Sequence, residues 1–184
     1  VLDMGQNLAG FPEITVRGRK GQKITLLVSE SLSDEGACNQ RQTGRQHYYE
    51  YTLKGEGVET WHPRFSYYGF RYIQVEGAVL KGQKNTLHLP VIQKIQSCFV
   101  YNSAPKVSTF QCSNRIFNEA HRLIEKAVRS NMQSVFTDCP HREKLGWLEQ
   151  DHLCGPGLLY NYDLTGFLPQ TLQNIADAQH ANGA

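Results

Sequence analysis

Residues 138–147 have the sequence Asp-Cys-Pro-His-Arg-Glu-Lys-Leu-Gly-Trp, and the rest of the chain is organised around them. The stretch combines acidic, basic and imidazole side chains with a proline, a glycine and a tryptophan. The segments before and after it have helical periodicity, which predicts a loop between two helices. Loops that join regular elements often carry functional side chains, because a rigid scaffold holds them in place.

The side chains of this loop are suited to the cleavage of a sugar. Asp138 and Glu143 can accept hydrogen bonds and transfer protons, and Trp147 offers a flat apolar surface for a sugar ring. The alternative for Glu143 is a solvated ion pair with Arg142 or Lys144. Without further information this ion pair is favoured, since exposed charge is the usual state of a glutamate.

Composition and charge exclude several classes of protein. The chain has 184 residues, of which 40% are hydrophobic and 20% charged, as expected for one globular domain or two small ones. Its 19 basic and 17 acidic residues are interspersed and give a net charge of +2, so no nucleic-acid partner is expected. No apolar run approaches the length of about 18 residues that spans a membrane, and no signal-peptide pattern opens the chain. We therefore expect no membrane partner either.

The cysteines and histidines give no strong metal or nucleophile motif. The cysteines are odd in number and irregularly spaced, so a disulfide framework is not predicted: Cys38, Cys98, Cys112, Cys139 and Cys154. A zinc site would need Cys139 and His141 with His152 and Cys154, and these pairs lack the usual C-x₂-C spacing. A cysteine hydrolase would use Cys139 with His141 or His152, but Cys139 precedes a proline and lacks neighbouring oxyanion-hole glycines. No metal and no cofactor are expected.

The first hundred residues have the pattern of β-strands. Two β-branched runs, at 13–16 and 23–30, flank a hairpin signal at 18–21, and Ile24, Leu26 and Val28 are predicted to share one face. A polar loop is expected at 31–45. Further strands are predicted at 47–53, 61–68, 70–75 and 95–101. Short strands separated by turns predict an antiparallel β-sandwich.

An aromatic strip at 65–72 allows two interpretations. Aromatic faces stack on sugars, so the strip is a candidate carbohydrate platform. Packing in the core or between domains is favoured instead, since strands are rich in aromatic residues for that purpose.

The pattern becomes helical after residue 112. Ser113 is the candidate N-cap of a first helix that ends near Gln133. Its apolar residues recur at three- and four-residue spacing: Ile116, Ala120, Leu123, Ile124, Ala127 and Val128. A second helix is expected from about Leu148, broken at 155–157, and a third at about 164–179. Three such helices cannot close a core alone, which predicts the start of a helical barrel or bundle.

Residues 138–147 resemble the active-site signature of bacterial α-L-rhamnosidases, glycoside hydrolase family 78. In that signature an Asp-Cys-Pro-x-Arg run leads to an acidic residue and then Gly-Trp. Residues 110–114 resemble the family's entry to its first barrel helix, and residues 68–72 resemble a strand of its preceding sandwich. The resemblance implies a multidomain chain, β then α: an antiparallel β-sandwich domain at 1–104, then the opening helices of an (α/α)₆ barrel at 105–184.

The resemblance also implies roles for individual residues. Glu143 matches the general acid that protonates the glycosidic oxygen. Asp138, the second candidate catalytic residue, and Arg142 match groups that hydrogen-bond rhamnose or orient the acid, and Trp147 matches a wall of the sugar pocket. A general acid must hold its proton near neutral pH, which requires burial or a second carboxylate such as Asp138.

Two features depart from the family's pattern. The acidic residue often found three positions after the tryptophan is replaced by Gln150. Asp151 is therefore the expected substrate ligand, and Glu149 is the alternative. The family is inverting and needs a base roughly 6.5 to 9.5 Å from the acid, which its members supply far downstream. Three glutamates on predicted strands or turns are poor substitutes: Glu50, Glu56 and Glu76.

Two functions compete at this point. The first is a fragment of an inverting, exo-acting α-L-rhamnosidase that acts on plant glycosides or polysaccharides and is inactive by itself. The second is a non-catalytic carbohydrate-binding sandwich with accessory helices, which has no use for an acidic, proline-containing loop. Because Val1 to Met4 have the pattern of a strand interior, we expect the chain to be part of a larger protein. Its oligomeric state and its bacterial compartment, whether cytoplasm, periplasm or exterior, are left open.

Overall fold

The computed structural model describes residues 1–41 and 43–183, which form two compact units. The sheet unit comprises Val1–Val100 together with Pro140–Glu143. The helical unit comprises Tyr101–Cys139 and the residues from Lys144 on. The chain is therefore mostly sheet in its first part and helical afterwards, which confirms the predicted order of β and then α.

In the described residues the sheet unit contains seven strands: β1 Leu2–Arg17, β2 Lys23–Ser29, β3 Tyr48–Thr52, β4 Val58–Trp61, β5 Tyr68–Glu76, β6 Val79–Leu80 and β7 Val91–Phe99. Their order is β3-β2-β5-β1-β7-β6, and β4 also pairs with β1. The first half of β1 pairs with β5, and its second half pairs with β4 and β7. β1 is thus the central strand of the unit.

Alternating burial along the strands builds the core of the sheet unit. Ile24, Leu26 and Val28 of β2 are almost completely buried, which confirms that they share one face. They belong to a cluster whose other members come from β1, β3, β5 and β7 or flank them: Leu8, Ile14, Val16, Tyr49, Leu53, Phe70, Ile73 and Ile92. The core therefore depends on strands that are far apart in sequence.

Three strand predictions are wrong. The hairpin predicted at 18–21 does not form, because β5 lies between β1 and β2 in the sheet. The wholly antiparallel arrangement fails at β6, which runs parallel to β7. The connection between them folds back on itself, because the Asn85 side chain both donates to and accepts from the backbone of Leu89. The predicted strand at 61–68 ends at Trp61. Pro63 follows without a backbone N–H to donate, and Phe65 has a φ of 57° that no strand residue adopts.

Some residues of the aromatic strip are packed and others are exposed. Phe70 is fully buried, and the Tyr68 ring stacks on His47 with a centroid distance of 4.1 Å, so packing is confirmed for these two residues. Phe65 is fully exposed. The strip does not form one continuous face.

The helical unit contains α1 Arg115–Asn131, α2 Leu148–Asn161 and α3 Phe167–Ala178. Asn114, not Ser113, is the N-cap of α1, because its side-chain oxygen accepts a hydrogen bond of 2.9 Å from the Ile116 N–H. The helices pack through a cluster of buried side chains: Met132, Phe136, Leu158, Tyr162, Leu164 and Phe167.

The predicted break in the second helix is wrong. α2 continues through Gly155 and Gly157 with Pro156 inside it. Pro156 removes one backbone donor, and the glycines weaken the helix. Leu158 and Tyr162, at the C-terminal end of this segment, are buried in the helical cluster. Tertiary packing therefore outweighs local propensity.

The apolar stripe of α1 is exposed among the described residues. Ile116, Leu123 and Ile124 are 60–74% exposed, whereas Val128 packs against the helical cluster. The stripe thus has the predicted spacing but contributes little to this core. None of the described helices is long and apolar enough to cross a bilayer.

Pro156→Ala is expected to stabilise the helical unit by up to about 3 kcal/mol, the usual penalty of a proline inside a helix. The alanine N–H can donate to the carbonyl of His152 one turn earlier, a bond that proline cannot form. Denaturant unfolding followed by helical circular dichroism measures the change. Pro169→Ala is the matched control: Pro169 lies in the first turn of α3, where N–H groups lack partners within the helix, so little change is expected. Equal effects of the two substitutions would contradict this account.

Candidate active site

The loop between α1 and α2 is divided between the two units. Asp138 and Trp147 belong to the helical unit, and Arg142 and Glu143 belong to the sheet unit. Asp151 follows in the first turn of α2, within the helical unit.

Asp138 is fixed to Leu145 by two hydrogen bonds. The Asp138 N–H donates to the Leu145 carbonyl at 3.0 Å, and the Leu145 N–H donates to Asp138 Oδ1 at 2.9 Å. The Cys139 thiol also lies 3.4 Å from Asp138 Oδ2. Burial raises the pKa of Asp138, but the donors from Leu145 and Cys139 outweigh burial and leave the pKa below its ordinary value. Asp138 is therefore an ionised acceptor at neutral pH.

Trp147 occupies the N-cap position of α2, with an extended backbone (φ −72°, ψ 130°). The residue is 47% exposed. The preceding Gly146 lies close to Val135, since a Cβ on Gly146 would be 2.9 Å from Val135 Cγ2. The helical unit thus positions the Trp147 backbone closely and leaves much of the indole ring uncovered.

Asp151 lies at the wall of a cavity within the helical unit. The cavity has a volume of about 720 Å³, and its lining is largely apolar, including Phe136, Leu148 and Ile175. Asp151 Oδ1 is buried without a hydrogen-bond partner among the described residues, and burial raises the pKa of this carboxyl. Glu149, the carboxylate left open beside it, is exposed. Of these two carboxylates, Asp151 is the one whose pKa is raised by burial.

Glu143 is paired with its neighbour. Arg142 Nη2 donates to Glu143 Oε1 at 3.0 Å, and the two side chains are 53% and 38% exposed. The structure therefore contains the ion pair that the alternative interpretation of Glu143 predicted. The role of Glu143 as an acid stays a prediction.

Sequence reasoning missed three residues around the loop segment of the sheet unit. Glu30 Oε2 lies 3.2 Å from His141 Nδ1, and Asn7 Nδ2 donates to Glu30 Oε1 at 2.8 Å. Gly69 of β5 directly faces Pro140 and His141. A glycine inside a strand often marks the close approach of another backbone, and this was the one signal available.

The cysteines and histidines considered for a metal do not form a cluster. Across residues 1–41 and 43–183, no group of three or more His, Cys, Asp or Glu side chains is arranged to hold a metal ion.

Comparison with known protein families accounts for both parts of the chain. Residues 1–101 match the bacterial alpha-L-rhamnosidase concanavalin-like domain, and residues 105–184 match the bacterial alpha-L-rhamnosidase 6 hairpin glycosidase domain. Among curated proteins, an alpha-L-rhamnosidase of Formosa agariphila is 33% identical over 181 residues, covering 95% of this chain and 18% of that protein. An alpha-L-rhamnosidase of Streptomyces avermitilis is 34% identical, covering 100% and 17%.

Solved structures show the same likeness. The alpha-L-rhamnosidase from Dictyoglumus thermophilum superposes with a TM-score of 0.84 at 34% identity, over 99% of this chain and 20% of that one. The Streptomyces avermitilis enzyme complexed with L-rhamnose has a TM-score of 0.84 at 33% identity, over 100% and 17%. The chain thus spans about a fifth of the length of the relatives that it matches.

Asp151→Asn is expected to raise the melting temperature at neutral pH. Burial raises the pKa of Asp151 above its ordinary value of 3.8, so the ionised form is penalised in the folded chain. Stability is then lost as the pH rises through and beyond 3.8, and asparagine escapes this loss. The gain should disappear at more acidic pH, where the carboxyl is protonated in both states. Thermal unfolding over a pH series measures it.

The control for this experiment is Asp163→Asn, in the same unit. Hydrogen bonds from the Thr165 hydroxyl and N–H lower the pKa of Asp163, so its ionised form stabilises the fold. Its replacement should lower the melting temperature at neutral pH, the opposite sign. If Asp151→Asn lowered the melting temperature at neutral pH by a similar amount, the Asp151 carboxyl would not be penalised by burial.

Proposed function

The chain belongs to the bacterial α-L-rhamnosidase family, and on that premise we propose that it is part of a longer, exo-acting α-L-rhamnosidase. This glycoside hydrolase would remove terminal α-L-rhamnosyl groups from plant glycosides or polysaccharides. One observation carries the proposal: the chain matches both rhamnosidase domains, at 1–101 and 105–184, and the acidic loop at 138–147 lies within the second match. A non-catalytic carbohydrate-binding module is the second candidate, favoured by the Arg142–Glu143 ion pair.

We propose that residues 1–104 form a β-sandwich domain and that residues 105–184 open an (α/α)₆ barrel. The concanavalin-like and 6 hairpin descriptions of the matching domains support this division. The exposed stripe of Ile116, Leu123 and Ile124 on α1 also supports it, since a helical barrel would cover these side chains with further helices.

Asp138 is proposed to bind the sugar by accepting hydrogen bonds from it. Because the hydrogen bonds from Leu145 and Cys139 keep it ionised, it is a poor proton donor and a strong acceptor. Rhamnose hydroxyls are donors that suit such a carboxylate. This separates the two acidic residues of the loop into different roles, with Asp138 holding the substrate and Glu143 left to transfer the proton.

Glu143 is proposed to be the general acid that protonates the departing glycosidic oxygen. In the absence of substrate it pairs with Arg142. We infer that Arg142 turns to the hydroxyls of the bound sugar, so that Glu143 Oε1 leaves this ion pair and can face the glycosidic oxygen. The exchange would couple the placement of the acid to substrate binding.

An inverting reaction also needs a base that activates water, roughly 6.5 to 9.5 Å from the acid. Two of the glutamates considered for this role are engaged in the sheet unit. Glu50 forms an ion pair with Lys23 at 3.0 Å, and Glu76 accepts a hydrogen bond from Gln74. We propose that the base comes from a part of the longer enzyme that these 184 residues do not include. The chain covers only 18% and 17% of two relatives, which leaves most of their length to supply it.

Trp147 and Asp151 are also proposed to bind the sugar. The half-exposed indole of Trp147 would pack against the rhamnose ring and its methyl group. Asp151, unpartnered at the wall of the cavity, would hydrogen-bond a sugar hydroxyl.

Glu143→Gln in the complete enzyme tests the acid. The substitution keeps the shape of the side chain and removes the proton, so hydrolysis of a natural rhamnoside should fall by roughly 10² to 10⁴. A dinitrophenyl rhamnoside needs no protonation of its leaving group and should be affected much less. The ratio of kcat/KM on the two substrates is the measurement. Asp138→Asn is the comparison, expected to slow both substrates alike. If the leaving-group dependence appears in Asp138→Asn instead, the two roles are exchanged.

Trp147→Ala separates a pocket wall from a packing residue. As a wall, Trp147 contributes both affinity and positioning, so KM should rise and kcat should fall in the complete enzyme. As a core residue, its truncation would instead cost about 3–5 kcal/mol of stability. Melting temperature and steady-state kinetics of the variant distinguish the two. A large loss of melting temperature with unchanged kinetics per folded molecule would assign Trp147 to packing.

A further inference from the structure

The segment Pro140–Glu143 is held within the sheet unit by a polar contact at its second residue. His141 Nδ1 lies 3.2 Å from Glu30 Oε2, a distance that allows an ion pair when the imidazole is protonated. Glu30 follows directly after β2, and its other oxygen accepts a hydrogen bond of 2.8 Å from Asn7 of β1. The side chains of His141 and Glu30 are only 21% and 27% exposed. Asn7 of β1 thus orients the Glu30 side chain, and the end of β2 places it beside His141.

The same segment packs against the backbone of Gly69, which has no side chain to separate them. A Cβ on Gly69 would be 2.8 Å from Pro140 Cγ and 3.1 Å from His141 Cβ, closer than side chains normally pack. Gly69 lies in β5 and is paired with Ala9 of the central strand, so it has no freedom to retreat. Its backbone φ is not in the left-handed region. The glycine is therefore required for space, to let Pro140 and His141 approach.

These contacts fix the segment immediately before the proposed acid. Pro140 restricts its own φ, and His141 lies within ion-pair distance of Glu30 and against Gly69, so the backbone enters Arg142 and Glu143 from a defined point. Two residues of extended chain span at most about 7 Å, so the position of His141 limits how far the Glu143 backbone can move. A displacement of about 1 Å at a reacting group costs about a hundredfold in rate.

We propose that Glu30 and Gly69 are positioning residues for the general acid: they hold His141 and Pro140 and so set the place from which Glu143 donates its proton. This inference rests on the proposed function of Glu143. Neither residue touches substrate in this scheme. Both act through the loop segment, from a domain that would otherwise have only a structural part in the reaction.

The test uses Glu30→Gln and Gly69→Ala in the complete enzyme. Glu30→Gln keeps an oxygen for Asn7 and removes the charge opposite His141, and Gly69→Ala pushes Pro140 away. Both variants should lose about tenfold to a hundredfold in kcat on a rhamnoside with a sugar leaving group, with KM nearly unchanged. On a dinitrophenyl rhamnoside the loss should be small, because that substrate needs no acid. A purely structural defect would reduce both rates equally.

Glu50→Gln is the matched control. It removes one carboxylate and one ion pair, with Lys23, from the same sheet unit, and the polar partners of Glu50 among the described residues are Lys23 and Thr25 of β2. It should leave the kinetics on both substrates unchanged. Glu30→Gln combined with His141→Gln provides a second measurement, in which the double variant should lose no more than the more damaging single variant, because both break one contact.

The outcomes separate this inference from the function on which it rests. If Glu143→Gln shows the leaving-group dependence and Glu30→Gln and Gly69→Ala do not, the positioning role is wrong and the acid assignment stands. Equal losses on both substrates, or additive losses in the double variant, also overturn the positioning role. If Glu143→Gln itself shows no leaving-group dependence, the acid assignment fails and this inference fails with it. Glu30→Gln alone decides the matter should Gly69→Ala not fold.

Discussion

The two hydrogen bonds between Asp138 and Leu145 close the loop on which the candidate site depends. They join residues seven apart through both the backbone and the carboxylate of Asp138. The same Leu145 N–H that closes the loop also helps to keep Asp138 ionised. Gly146 and Trp147 follow at once, the first close to Val135 and the second as the start of α2. The contact between Asp138 and Leu145 therefore sets both the geometry of the loop and the charge of the Asp138 carboxylate.

Much of the fold follows from periodicity, because buried faces leave a repeating pattern. Ile24, Leu26 and Val28 alternate along β2 and are buried as predicted. Features that depend on distant contacts leave no such pattern. Pro156 has the local signature of a helix end, yet burial of Leu158 and Tyr162 keeps α2 continuous. The parallel pairing of β6 with β7 follows from the shape of their connection, which the hydrophobic pattern does not encode.

The candidate site was only partly predictable, for a related reason. The loop residues were found because they are adjacent in sequence and form a recognisable motif. Their supports were not found: Glu30 and Gly69 are separated from His141 by 111 and 72 positions in the printed sequence. The Arg142–Glu143 pair was foreseen as an alternative, since neighbouring opposite charges commonly meet. The sequence thus shows which groups are present, and only the folded chain shows what holds each of them.

The assignment of Pro140–Glu143 to the sheet unit has a consequence for how such proteins can exchange parts. A recombination event between Val100 and Asn114 would pass outside every described strand and helix and would look like a clean swap of modules. It would nevertheless separate Glu30 and Gly69 from the His141 and Pro140 that they contact. A chimera would keep every described strand and helix but would lose the fit of Pro140–Glu143 to the sheet unit to which these residues belong. The segment Pro140–Glu143 must therefore be inherited together with Glu30 and Gly69.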